Sequence, residues 1–562
     1  MTPAVVRGGT AFLIGAGFLV PVLAGLRETV LAAFGILPAI GAEIPGLDPW
    51  RSLIGLPGFW TSLRLTLTVG FVSTALALGA ALALAAGMRG SGLLRRALPI
   101  PLAVPHVAMA IGLAFLLAPS GWIARMLSPW ATGWMVPPDL ATLRDPWGLG
   151  LIMGLIVKEI PFLTFVALAA LDQVPHRAHL TLGASLGYAP ATVWLKGIVP
   201  QLYQQMRMSI NVVLAYALSV VDVALILGPG TPPPLSVAAM RWFTAADTQL
   251  LLPASAAALL QALIVVSGIG IWLLAELAVA RLGRVWIRAG ARQGIEAPML
   301  TALFCLAAAV AIVGMLALCA LSLWSVAGPW RFPHVLPAEI SFEIWSSTAA
   351  RWQGPLFETL LIGGLATGVS LALAILWLEI EDRRGRRGGW LPWTIYLPLL
   401  LPQIGFLYGL DVAFMRLGVN GTRAAVVWAH ALFVFPYVVL TLRDAWHALD
   451  PRLARTAAAL GASAWRILFK VKLPLLLRTV LAAMAVGFSV SVAQYLPTLF
   501  IGEGRITTLT TEAVALSAGA DRRVAAICAA LQALLPALVF ALSLLGPRLL
   551  HRGRSKFRAG AA

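Results

Sequence analysis

Runs of about 20 apolar residues, the length that crosses a hydrocarbon layer as a helix, recur along this whole chain and leave few other folds open to it. Spans are expected to begin near Ala11, Leu63, Pro99, Gly150, Ser209 and Leu251, then near Leu303, Leu360, Trp390, Ala424, Val480 and Val524. Short loops with Arg, Pro, Gly and Trp separate them. Of the 562 residues 60% are hydrophobic and 11% charged, whereas soluble proteins are about 45–50% apolar. The expectation is an all-α polytopic membrane protein with about 12 transmembrane helices. The first apolar stretch runs past Pro21 without a small-residue cleavage site, so it reads as a membrane helix rather than a signal peptide.

The net charge of +18 is a matter of topology. Basic residues fall in alternate loops: Arg89, Arg95 and Arg96; Arg281, Arg284, Arg288 and Arg292; Arg383, Arg384, Arg386 and Arg387; and a tail with Arg548, Arg552, Arg554, Lys556 and Arg558. Other loops mix signs, as with Asp139, Arg144 and Asp145. The positive-inside bias then places both termini in the cytoplasm, with lipid rather than nucleic acid as the surrounding partner. Cys305, Cys319 and Cys528 lie in apolar spans without metal-like spacing and read as small core residues. No Gly-x-x-x-x-Gly-Lys-Ser/Thr loop occurs. The chain is therefore expected to bind no cofactor of its own, and any ATP falls to a partner subunit.

The chain is also doubled. PLAVPHVAMAIGL and PLLLPQIGFLYGL match Pro101, Pro105, Gly112 and Leu113 with Pro398, Pro402, Gly409 and Leu410, an offset of 398 − 101 = 297. Leu63 and Ser73 pair with Leu360 and Ser370 in the same register. Further on, Gly187 and Pro200 match Gly461 and Pro474, where the offset is 461 − 187 = 274. The missing residues fall where Gly121 to Trp147 forms a long outer loop and only Gly418 to Arg423 bridges the equivalent place. Trp122, Trp130, Trp134 and Trp147 suit an interfacial hairpin or short helix there. An even number of spans separates equivalent helices, so the six-helix repeats are parallel, with halves 1–295 and 296–562 and cores at about 57–280 and 354–547.

The strongest chemical signal lies between the fourth and fifth spans of each half. Thr181 to Pro200 reads TLGASLGYAPATVWLKGIVP and Arg455 to Pro474 reads RTAAALGASAWRILFKVKLP. Gly and Pro stand 200 − 187 = 13 and 474 − 461 = 13 residues apart, and Lys196 matches Lys470. An Ala-rich segment meets a Gly suited to a turn, and a basic amphipathic stretch then reaches a Pro at the next span. Small residues such as Ala457, Ala458, Ala462 and Ser463 let another protein approach closely.

These residues resemble the EAA loop of binding-protein-dependent ABC permeases, whose pattern is Glu-Ala-Ala, three residues, Gly and a distant Pro. The resemblance covers nearly the whole chain and implies the type I importer (MetI-like) fold. It also implies a permease subunit of a bacterial ABC importer in the inner membrane, two copies of an ABC ATP-binding subunit and a periplasmic substrate-binding protein. Gly187, Ala189, Pro190, Lys196 and Pro200, with Ala457, Ala458, Gly461, Ala462, Ser463, Lys470 and Pro474, would then couple ATP hydrolysis to transport. Thr181 and Arg455 stand where the family has Glu, which removes its acidic contact. The stretch after Ile501 and the fused layout are similar to YnjC-type permeases, relatives of ferric-iron and thiamine permeases.

Ionisable residues inside spans are costly and draw functional readings. Adjacent Lys158 and Glu159 form a charge pair or contact other helices, since neighbours on a helix do not share a face. His106, Asp222, Gln403, Gln494 and Tyr495 fit either a polar pathway lining or hydrogen bonds between helices. Two rivals remain at this level. A secondary transporter could use a doubled bundle, and an intramembrane hydrolase would bring Asp411 and His430 together around a closed cavity.

Overall fold

The computed structural model describes residues 15–87, 99–384, 397–519 and 521–550. The expected span starts at Ala11 and Trp390 lie outside them, as do Arg89, Arg95, Arg96, Arg386, Arg387, Arg552, Arg554, Lys556 and Arg558. The helices that carry the architecture are α1 (Val20–Ala33), α2 (Phe59–Gly87), α3 (Pro99–Ala103), α4 (His106–Leu117), α5 (Leu149–Leu171), α6 (His176–Ser185), α7 (Val199–Ser219) and α8 (Leu251–Arg288). They continue as α9 (Glu296–Val326), α10 (Ala349–Arg384), α11 (Ile404–Arg416), α12 (Arg423–His447), α13 (Pro451–Ala459), α14 (Leu477–Val492) and α15 (Arg522–Leu550). Among the described residues, β structure is confined to two isolated bridges, Leu37 with Ala42 and Ala327 with Ile340.

Eight helices in the described residues are long and apolar enough to cross a membrane, and a ninth arises if the pair Ala464–Leu475 and Leu477–Val492, bent by 80°, is one span. The polytopic helical fold stands on these. The spans expected near Ala11, Ser209 and Trp390 are not among them. α7 carries Gln201, Gln204, Gln205 and Arg207, which lower its hydropathy, and α11 has 13 residues.

The chain forms two compact units that cut across the sequence halves. One holds Met1–Glu28, Ser347–Ala513 and Ile527–Ala562; the other holds Thr29–Ser346 and Val514–Ala526. The first helix of the second half, α9, thus packs with the first half's α2, α4 and α5. Gly112 of α4 makes this possible, because a Cβ there would lie 2.6 Å from the Ala317 carbonyl oxygen. In the other unit Gly25 of α1 packs against the backbone of Phe406 and Leu410 on α11, and buried Glu28 pairs with Arg416 at 2.8 Å. Glycine is what lets helix backbones approach so closely in an apolar medium.

α9 buries only part of its circumference, and this corrects the reading of the cysteines. Cys305 and Cys319 are exposed on it, and only Cys528 is buried. A helix at the rim of a unit turns half its surface outward whatever its composition.

Polar side chains repair the places where helices break. The third span is interrupted between α3 and α4 at Val104 and Pro105, and Lys158 of α5 donates to the carbonyls of Pro101 (2.8 Å), Leu102 (3.3 Å) and Val104 (2.5 Å). Its neighbour Glu159 turns instead to His106, with oxygen and Nε2 3.6 Å apart. The two charges contact different groups, as adjacent helical positions require. Thr66 accepts from the Leu235 amide at 2.9 Å where the helix Leu235–Phe243 starts, and Thr359 accepts from Leu509 at 2.8 Å where Leu509–Ser517 starts. Gln261 and Gln532, on α8 and α15, donate to the Leu218 carbonyl (2.8 Å) and the Thr510 hydroxyl (2.7 Å).

The loop after α4 contains a short helix, Trp122–Leu127. Arg125 from it donates to the carbonyls of Arg331 (2.9 Å), His334 (3.1 Å) and Trp330 (3.3 Å), with the Trp330 ring 4.7 Å below its guanidinium.

Two outcomes test this packing. Gly112→Leu is expected to lower the thermal midpoint of the detergent-solubilised protein, because α4 and α9 must separate to admit the side chain. Lys158→Met leaves three carbonyls without their charged donor and should cost about 3 kcal/mol, seen as a lower midpoint that Lys158→Arg largely recovers.

Candidate functional site

Each long exposed loop between a fourth and a fifth span repeats the backbone turns of the other. In the first, α6 ends when the Gly187 amide donates to Ala184 (3.0 Å) and the Tyr188 amide to Gly183 (2.9 Å). In the second, α13 ends when the Gly461 amide donates to Ala458 (2.9 Å) and the Ala462 amide to Ala457 (3.0 Å). This paired closure needs a left-handed residue, and Gly187 and Gly461 supply it with φ of +79° and +81°. Substitution there strains the backbone even where there is space for a side chain.

The chain restarts at once. Ala189 and Ser463 precede the four-residue helices Pro190–Val193 and Ala464–Ile467, and the Ser463 hydroxyl accepts from the Arg466 amide at 3.3 Å. A wider π turn follows, Trp194–Ile198 in one loop and Leu468–Lys472 in the other. Pro200 and Pro474 come two residues later and cannot donate to the α-helical partner, so each Pro marks a loosened ladder. Around these frames the surfaces are open. Leu182 is 63% and Leu460 84% exposed, with Leu186, Leu453, Trp465 and Phe469 also exposed.

What holds each loop in place differs. Lys196 donates to the Ala291 (2.7 Å) and Trp286 (3.3 Å) carbonyls at the end of α8 and lies 4.4 Å from the Trp286 ring centroid. The Ala189 amide donates to Arg292 at 2.9 Å. Its sequence counterpart Lys470 is exposed, and two residues on Lys472 is buried against Glu379 and Asp382 of α10. Sequence matching picked out Lys470 and missed Lys472. The signal was the acidic run near the end of α10, LEIED, which follows the uncharged stretch 359–378.

The polar residues of the spans gather in two places, each within one unit. His106 stands 3.6 Å from Glu159 and its ring centroid 4.8 Å from that of Tyr216, with Asp222 within electrostatic reach. Asp222 also accepts from the Val223 amide at 2.9 Å. Gln403, which occupies the matching position after the second half's break, donates to Gln494 at 3.2 Å. Gln494 is buried and Tyr495 half-buried beside it. In both halves a residue beside the break in the third span thus meets a polar side chain of another element, an acid for the His106 imidazole and an amide for Gln403.

His430 spends both ring nitrogens on hydroxyls, Ser491 and Thr498, each at 2.8 Å, which leaves neither for Asp411. The arrangement expected of a hydrolase is therefore not formed by this pair. Among the described residues no three His, Cys, Asp or Glu side chains gather as a metal site.

Comparison with known proteins bears on the chain as a whole. Residues 364–550 match the family described as "Binding-protein-dependent transport system inner membrane component". The inner membrane ABC transporter permease protein YnjC of Escherichia coli is 36% identical over 523 residues, covering 90% of this chain and 93% of that protein. The molybdenum transport system permease protein ModB of Haemophilus influenzae is 29% identical over 30% of this chain and 80% of its own length. A putative 2-aminoethylphosphonate transport system permease protein, PhnV of Salmonella typhimurium, is 30% identical over 36% and 76%. With a doubled helical fold and kinship along nine tenths of its length, this chain belongs to the binding-protein-dependent ABC transporter permeases and is a permease subunit of an ABC importer.

Proposed function

We propose that the two exposed loops are the docking elements for two copies of an ATP-binding subunit, and that nucleotide-driven movement of those subunits reaches the spans through them. The observation that carries this is the exact succession of helix, left-handed Gly, four-residue helix and π turn, formed twice at one offset. A connector with no task beyond joining two spans has no need to be built identically in two halves whose other loops diverge. The exposed leucines and aromatics suit a protein surface, since apolar area at these tips gains free energy only when covered.

On this reading ATP is bound by the partner subunits, both termini and both loops are cytoplasmic, and the outer loops receive a substrate-binding protein. The sequence halves 1–295 and 296–562 act as the two transmembrane domains, although each lends its first helix to the other's compact unit. His106, Asp222, Gln403, Gln494 and Tyr495 line the translocation pathway. Relatives named for molybdenum and for 2-aminoethylphosphonate are consistent with a common permease frame that serves several substrates.

The test replaces the two glycines. Neither Gly461 nor Gly187 has a side chain so near that a Cβ would collide: nothing lies within 4 Å at Gly461, and Arg292 approaches to 3.5 Å at Gly187. Valine there costs about 1–2 kcal/mol of backbone strain and reshapes the loop without disturbing the spans. Gly461→Val and Gly187→Val should each insert normally yet lose ATP-driven uptake of the ligand that a copurifying binding protein retains. Parental uptake in both variants at parental expression would remove the assignment.

A further inference from the structure

Lys472 is the last residue of the π turn that follows the second loop, and it is 7% exposed. Its ammonium donates to Glu379 Oε2 at 2.7 Å and Asp382 Oδ2 at 2.5 Å, and lies 5.7 Å from the Trp446 ring centroid. The other oxygen of Glu379 accepts from Arg383 Nε at 2.8 Å. The two acids belong to the end of α10 and Trp446 to the end of α12, where Arg443 and His447 stand 3.8 Å and 3.6 Å from Glu381. The base of the loop is therefore gripped by the ends of two spans.

A charge this buried cannot slide. Moving Lys472 relative to α10 separates it from two carboxylates; Glu379 keeps Arg383 and Asp382 is open to water, but the lysine's own charge is left uncompensated where water is scarce. Displacing the loop thus displaces α10 as well. The first half does not repeat this device at the matching positions: those of Glu379 and Asp382 at the offset of 297 are Leu82 and Ala85, and that of Lys472 at 274 is Ile198. There Lys196 holds carbonyls at the end of α8 instead, a weaker tie to a different span.

We infer that Lys472 is a positioning residue through which movement of the second loop is passed into α10 and α12, a link that the first half makes elsewhere. The inference rests on the docking reading of the loops. Its test uses the full complex with the ATP-binding subunit in lipid nanodiscs, with Cys305, Cys319 and Cys528 replaced by Ser and one cysteine introduced as Gln403→Cys. The probe is Mg-ATP trapped with vanadate, and the readout is the rate at which a water-soluble maleimide alkylates position 403.

The parental complex should show different rates with and without trapped nucleotide. Lys472→Met is expected to shrink that difference about tenfold while the ATP-binding subunit still copurifies at the parental ratio, and Lys472→Arg to keep it within about twofold. A difference unchanged in Lys472→Met overturns the inference. So does a loss that Lys472→Arg fails to recover, or one that tracks loss of the ATP-binding subunit. Gly461→Val, run in parallel, separates the two levels. If it abolishes the difference and Lys472→Met does not, the positioning role falls and docking stands; if the parental complex shows no difference at all, docking falls as well.

Discussion

A helix that breaks inside an apolar layer exposes carbonyls and amides that neither lipid nor water can satisfy, and this constraint organises much of the chain. The break at Pro105 is bearable because Lys158 reaches three of the stranded carbonyls. Two short helices begin inside the fold because Thr66 and Thr359 wait for their first amides. Gln532 on α15 reaches Thr510 beside the second of these starts, and Gln261 on α8 reaches the Leu218 carbonyl at the end of α7. Each repair joins residues far apart in sequence, so it locks tertiary structure as well as local geometry. Polar groups in these spans are first of all structural, and that is the standard against which any pathway role for His106 or Gln403 is weighed.

Much of this fold was legible beforehand because it depends on local chemistry. The left-handed turn at Gly187 and Gly461 needs glycine, and the loosened turn before Pro200 and Pro474 follows from the missing amide hydrogen, so the thirteen-residue spacing carried its own geometry. Composition sufficed for eight or nine of the helical spans in the described residues. The exchange of first helices between units was not legible, because α9 carries no mark that distinguishes packing on α4 from packing on its own half; the decisive contact is a glycine, Gly112, on the partner. The exposed Cys305 and Cys319 follow from that same placement. Lys472 escaped notice because its acids lie some ninety positions earlier, and nothing in a repeat comparison points to a residue that the other half lacks.

The repeat is kept where backbone geometry is concerned and abandoned where side chains make charge contacts. Both loops close with the same amides on the same carbonyls, yet one is fastened by an ammonium on carbonyls and the other by an ammonium between carboxylates. Beside the breaks in the third spans, imidazole and acids stand in one unit and two amides in the other. Backbone geometry is the costlier thing to change, since a loop that loses its left-handed glycine loses its shape, whereas a side-chain pair can be exchanged for another of similar strength.

That division follows from what a fused chain allows. Two identical permease subunits must use one sequence at both loops and both pathway faces, so any charge introduced on one appears on the other. Here the halves share a chain and mutate independently, and a buried Lys between two acids needs to arise only once. A buried ion pair gives little net stability over a well-packed apolar pair, but separating it is expensive. Stability alone therefore gives a weak reason for Lys472, Glu379 and Asp382 to occur together at the foot of one loop. Resistance to being pulled apart gives a stronger one, and it is a property that matters where a loop is moved from outside.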